Sequence, residues 1–312
     1  MGKDNLEALR TFDLQSLPDL DVVTLGALEL LDETPLPQVD FTAFKRPLVV
    51  GSGNAAVTGK ILFSEVDAIF ADESSYAEKL DTIDSIDGAV LISASGSKHA
   101  VGIAEALQKR SLSTILLTNN TDAPAMEVVG EHNTHVFPKN REPYTYNTST
   151  YMGMLLSKTG ENPEEIHAFI ENVVHQSLPA NLGSFDAYYL TVPDRFTLVR
   201  EMFATKFDEL FGPRLMGRIF TLEQTKHAKT VIPMEKELFI SFGEQNTDFG
   251  LRQNRLNVPL PERADFVAMM AIGYYVIGQI QKAKPAYFKG RVVEYCREIS
   301  EVFGKEITPI VE

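Results

Sequence analysis

From residue 46 onward the hydrophobic positions fall into short runs separated by longer amphipathic stretches. Apolar runs at 47–50, 67–72, 87–95, 113–120 and 134–140 have the length and β-branched content of buried strands. Between them, 55–63, 74–83 and 99–110 carry apolar residues at helical spacing, and 147–156 and 163–175 read as closing helices. The alternation then restarts. A strand is predicted over 186–192, a long amphipathic helix over 194–210 with Asp194 as its N-cap, and strands over 217–222 and 236–243. A strongly apolar helix is predicted over 264–283 and a last one over 292–303. Strands alternating with helices imply βαβ units and mainly parallel sheets, hence an α/β fold. The expected organisation is a lead-in segment at 1–45, a first domain at 46–180 and a second at 181–312, joined near 176–185. The lead-in is acidic and dotted with Pro18, Pro35 and Pro37, and has room for a short helix or two.

Composition narrows the function classes. Of the 312 residues 44% are hydrophobic, enough for a real core. The net charge of −14 argues against general binding to nucleic acid or anionic membranes, although a local anion site need not follow it. The lone Cys296 excludes a disulfide within the chain and makes a cysteine-based metal site a poor expectation. No metal and no cofactor are expected. The N-terminus has no signal-like apolar core, and no run approaches 18 apolar residues, so the expected location is cytoplasmic.

Three hydroxyl- or glycine-rich loops stand out. Ser93-Ala94-Ser95-Gly96-Ser97 follows an apolar strand and precedes a helix. In a parallel sheet ligands sit at the carboxyl ends of strands, where a helix start offers free N–H groups and partial positive charge. The loop therefore suits a phosphate; the alternative is an ordinary strand-to-helix turn with Ser97 as N-cap. VVGSGNAAVTG (49–59) contains G-x-G without the full dinucleotide fingerprint. REPYTYNTSTYMGML (141–155) crowds hydroxyls ahead of another helix. In the second half, Asp208 and Glu209 end a long helix, and Glu223 and His227 follow. A carboxylate raised by burial could act as a base, but charged residues at a helix end are ordinarily solvated. His132 and His135 make a weak metal signal without a third ligand.

These stretches resemble the sugar isomerase (SIS) domain family. SASGSK resembles its phosphate loop and VVGSGNAA its first glycine loop. KFDE followed by TLEQTKHA resembles the Glu and His segments of glucosamine-6-phosphate synthase's isomerase domain and of bifunctional phosphoglucose/phosphomannose isomerases. The resemblance implies two SIS-type, three-layer αβα subdomains of flavodoxin-like character. It implies phosphate binding by Ser52, Gly53, Ser93, Ser95, Ser97, Lys98, Ser149 and Thr150. It gives Glu209 the role of moving a proton between C1 and C2 and His227 that of opening the sugar ring, commonly from a neighbouring subunit. Lys305 resembles a catalytic lysine of the synthase's tail. The implied activity is aldose–ketose isomerisation of a sugar phosphate by a homodimer that shares His227 across its interface. Nucleic acid and membrane are not among the implied partners. The sequence departs from the family pattern in places. Lys98 stands at a threonine position, Gly53-Asn54 replaces a serine, Ala228 follows His227, and 141–155 lacks the proline–arginine pair of the phosphoglucose/phosphomannose group. A phosphosugar-binding protein without chemistry is the alternative reading.

Overall fold

The structure is a computed structural model and describes residues 4–312. Two helices open the described chain, α1 (Asp4–Thr11) and α2 (Leu20–Glu33). Strand β1 (Pro47–Val50) follows, then α3 (Asn54–Leu62), β2 (Ile69–Ala71), α4 (Tyr76–Thr82), β3 (Gly88–Ile92) and α5 (His99–Lys109). Next come β4 (Thr114–Thr118), α6 (Met126–Val129), β5 (Thr134–Val136), β6 (Glu142–Pro143), α7 (Thr148–Thr159) and α8 (Pro163–Phe169). After a π turn and the short α9 (His175–Ser177) run β7 (Ala187–Val192), α10 (Val199–Phe211), β8 (Met216–Thr221) and α11 (Leu222–Lys226). The chain closes with β9 (Glu237–Phe242), β10 (Arg255–Val258), α12 (Phe266–Ala283), α13 (Val292–Phe303) and β11 (Ile310–Val311).

These elements form two compact units that do not follow chain order. One contains 33–139 and 149–160, the other 4–32, 140–148 and 161–312.

The 33–139 unit is built on a five-stranded parallel sheet of order β2-β1-β3-β4-β5. Every residue of β1 and β3 is buried, as a parallel strand covered on both faces requires. Ala100, Ile103, Ala104 and Leu107 give α5 an apolar stripe at i, i+3, i+4 and i+7, which packs with Leu48, Leu91 and Leu116 of the sheet. Each large aliphatic side chain so buried contributes roughly 1.5–3 kcal/mol.

The other unit holds a four-stranded parallel sheet of order β10-β9-β7-β8. Strands β7 and β9 are buried along their whole length, and α12 is buried over nearly all of its 18 residues. A helix apolar on every side belongs in a core. Asp265 caps α12 by accepting from Phe266 N–H at 2.8 Å, and the Glu161 carboxylate accepts from the amides of Asp265, Val267 and Ala268.

The lead-in helices belong to this second unit and are fixed by buried polar bonds. Glu29, almost fully buried, accepts from Asn5 Nδ2 at 2.7 Å and from Leu6 N–H at 2.6 Å, and lies 3.2 Å from His167 Nε2. Gln281 Oε1 accepts from Leu20 N–H at 2.9 Å. The chain's last strand also lies here: β11 pairs antiparallel with β6, and Tyr144 N–H donates to Pro309 O at 2.8 Å.

Helix α10 departs from the sequence reading. Pro193 precedes a 3-10 turn at Asp194–Phe196, Asp194 makes no capping bond, and the helix begins at Val199. Strands β6, β10 and β11 are additions to the sequence reading.

Candidate functional site

In the 33–139 unit the chain runs from β1 outward to β2 and returns to β3 beside β1, so the order reverses between β1 and β3. Loops after those two strands flank the crevice where doubly wound folds take ligands. A cavity of about 210 Å³ lies there, lined by Gly51, Ser52, Ser93, Ser95, Ser97, Lys98, His99 and Tyr151 among others.

Both loops present helix starts without side-chain caps. Gly53 precedes α3 at φ 54°, ψ −125°, and Lys98 precedes α5 at φ 54°, ψ −118°. Glycine adopts this backbone freely; at Lys98 it is strained. The N-cap explanation of Ser97 therefore fails: its hydroxyl bonds Ser95 Oγ at 2.8 Å instead. Ser93 Oγ accepts from Gly96 N–H at 3.2 Å, and Asn120 Nδ2 donates to Ser95 O at 3.1 Å. Gly96 has φ +59°, and a Cβ there would lie 2.5 Å from Ala123 Cβ. Ser52 donates its hydroxyl to the Glu73 carboxylate, which sets the first loop. The cavity thus gathers hydroxyls, uncapped helix amides and one lysine, a donor set that suits a small anion.

The second constellation lies in the 161–312 unit. Glu209 occupies the last turn of α10, and Lys206 precedes it by three residues. Lys206 is fully buried; its Nζ donates to Glu209 Oε2 at 2.6 Å and to Thr145 O at 2.9 Å. Thr145 has φ +74°, an unusual backbone for a β-branched residue, and Asn147 has φ +46°. The loop is fixed on both sides, by the β6–β11 pairing and by Glu142, whose carboxylate accepts from Thr148 N–H at 2.6 Å. The Glu209 side chain is 23% exposed. Burial pushes its pKa above the ordinary carboxylate range, against the downward pull of the Lys206 ammonium, with Asp208 adding a smaller upward push. Glu209 lines a cavity of about 730 Å³ together with Tyr144, Thr145, Tyr287, Phe288 and Tyr295. A half-sheltered carboxylate of raised pKa, gripped by a buried cation and open to a cavity, is equipped to take and return a proton.

Not every sequence candidate joins these two places. Ser52, Ser93, Ser95, Ser97 and Lys98 line the smaller cavity; Gly53 heads α3 beside it. Ser149 and Thr150 are buried in the first turn of α7 and are not among its lining residues, whereas Tyr151 is. His227 ends α11 as an exposed residue and does not line the Glu209 cavity. Lys305 lies exposed in the turn after α13 and is not among the residues of that lining. Sequence reasoning missed Lys206, Glu73 and Tyr151, and read Thr145 only as one hydroxyl of the 141–155 patch, not as the carbonyl that meets Lys206. Lys206 had a signal, the three-residue spacing in KFDE; Glu73 had none beyond following β2. Among the described residues no group of three or more His, Cys, Asp or Glu is placed to hold a metal ion, and no helix is long and apolar enough to cross a membrane.

No family model matches this sequence, and no curated protein matches it either. Solved structures do. The chain superposes on glucosamine-6-phosphate deaminase from Thermotoga maritima with a TM-score of 0.60 and 14% identity, over 84% of this chain and 92% of the other. It superposes on tagatose-6-phosphate ketose/aldose isomerase from Escherichia coli with a TM-score of 0.58 and 11% identity, over 90% and 91%. The C-terminal domain of glucosamine-fructose-6-phosphate aminotransferase from Francisella tularensis gives 0.57 and 11%, over 88% and 98%. At these identities the likeness is one of fold: two α/β units built on parallel sheets.

Proposed function

We propose that this protein binds a sugar phosphate and interconverts its aldose and ketose forms. The observation that carries the reading is the Lys206–Glu209 pair beside an open cavity. It is supported by the anion-suited serine loop and by the fold shared with proteins named for sugar-phosphate chemistry.

In the proposed reaction Ser52, Ser93, Ser95, Ser97 and Lys98, with the amides following Gly53 and Lys98, hold the phosphate. Ser149 and Thr150 support the start of α7 next to Tyr151. Glu209, ionised, takes the C2 proton of the open-chain aldose. The electron pair left on C2 forms the C1–C2 double bond of a cis-enediolate while the carbonyl π bond closes onto O1. Protonated Glu209 then returns the proton to C1 while the O2 hydroxyl proton passes to O1 and O2 becomes the carbonyl, so no atom is gained or lost. A positioned base of this kind contributes about 10²–10⁴-fold. His227, exposed in its own chain, serves ring opening in the site of a second copy, which makes the active form a homodimer. Lys305 is assigned with it to the proton traffic at the ring oxygen.

A phosphosugar-binding protein without chemistry is the second reading. It is favoured by Lys98 at the family's threonine position and by the absence of His227 from the Glu209 cavity lining. A melting-shift screen of hexose and pentose phosphates, followed by an isomerase assay on those that bind, separates the two. Ligands that bind and are interconverted support isomerisation. Ligands that bind and remain unchanged leave the binding function alone.

A further inference from the structure

The Glu209 cavity is larger than the proposed chemistry needs. At about 730 Å³ it falls within the roughly 300–1,000 Å³ that holds drug-sized ligands, well beyond a single hexose. Its walls are aromatic and aliphatic. Tyr144 and Tyr295 lie with ring centroids 6.2 Å apart, Tyr287 and Phe288 follow α12, and Val292 starts α13. Tyr295, one of the lining rings, is 43% exposed.

The charges on this cavity do not form a second phosphate grip. Arg291 is already engaged by Glu294 and Glu298, the latter at 2.8 Å. Arg214 is exposed, and Asp208 and Glu209 contribute negative charge to the same lining. The start of α13 has no side-chain cap and meets the cavity at Arg291 and Val292, but no serine loop lines it.

We infer that this cavity is a subsite for an apolar substituent on the sugar, attached at the end where Glu209 acts. This rests on the reading of Glu209 as the C1/C2 base. Whatever projects from C1 or C2 must occupy space that Glu209 borders, and that space is mainly apolar and aromatic and is spare. The substrate class is therefore a sugar phosphate carrying an N- or O-linked apolar group, with the bare sugar phosphate a weaker ligand. Aromatic walls favour such a group through burial and ring contacts.

The test compares glucosamine 6-phosphate with N-benzyl-glucosamine 6-phosphate by calorimetry, on the wild-type chain and on Tyr295→Ala, with Tyr287→Ala as the second variant should the first not fold. The expected result is at least tenfold tighter binding of the benzyl form by wild type, reduced to threefold or less in the variant, with the affinity for glucosamine 6-phosphate unchanged. Equal or weaker binding of the benzyl form overturns the subsite and leaves the sugar-phosphate reading standing. A preference that persists undiminished in both variants overturns its location. Failure of both compounds to bind wild type overturns the sugar-phosphate reading and the subsite together.

Discussion

The Lys206 ammonium lies 2.6 Å from Glu209 Oε2, one helical turn earlier, and the same nitrogen donates to the Thr145 carbonyl at 2.9 Å. A fully buried ammonium is expensive unless it is paired and hydrogen-bonded, and here two acceptors meet it. The pairing also governs the carboxylate. Burial raises the Glu209 pKa, and Lys206 opposes that rise by favouring the ionised form.

Lys206→Met removes the opposing influence, so the Glu209 pKa moves further up. A base must be ionised to work, and kcat/KM reports the free enzyme. The acid limb of the kcat/KM profile is therefore expected to shift to higher pH, by about one unit or more. A limb that stays in place or moves to lower pH would show that the lysine does not set the carboxylate's ionisation.

Lys98 adopts a backbone that its counterpart Gly53 adopts without strain. Lys98→Gly is expected to stabilise the fold by about 1 kcal/mol, the lower end of what such a residue costs. It is expected to weaken phosphate binding severalfold, because a cation leaves the loop. Urea unfolding and phosphate titration read the two effects separately. A variant that is less stable and binds equally well contradicts the assignment of Lys98 to the anion.

Gly96→Ala should have the opposite effect on stability at the same loop. The new Cβ meets Ala123 at 2.5 Å and the residue must hold φ +59°. The expected loss is about 1–3 kcal/mol of stability, together with phosphate binding. Retention of both in calorimetry would mean that the loop's shape is not what holds the anion.

The serine loop and the α/β alternation were legible in the sequence because both follow from local pattern. β3 is a continuous apolar run, and α5 repeats its apolar positions at 100, 103, 104 and 107. The onset of α10 was misread because Asp194 has the chemistry of a cap, yet the chain after Pro193 closes a 3-10 turn before the helix begins. The role of the Thr145 carbonyl was invisible for a different reason. It depends on a positive φ and on a lysine 61 residues later, neither of which a local pattern encodes. β6 and β11 are two residues each and exist only through their pairing. The association of the lead-in helices with the 161–312 unit rests on buried bonds such as Glu29 to Leu6, made across 23 positions of sequence.

The most direct measurement is solvent-proton exchange at C2 of a hexose 6-phosphate in D₂O, followed by NMR for wild type and Glu209→Gln. The expected result is deuterium entering C2 with wild type and a loss of at least 100-fold in that rate with the variant. Binding of the sugar phosphate, read by melting shift, is expected to persist in both. Exchange that proceeds equally in Glu209→Gln would contradict the assignment of proton transfer to this carboxylate.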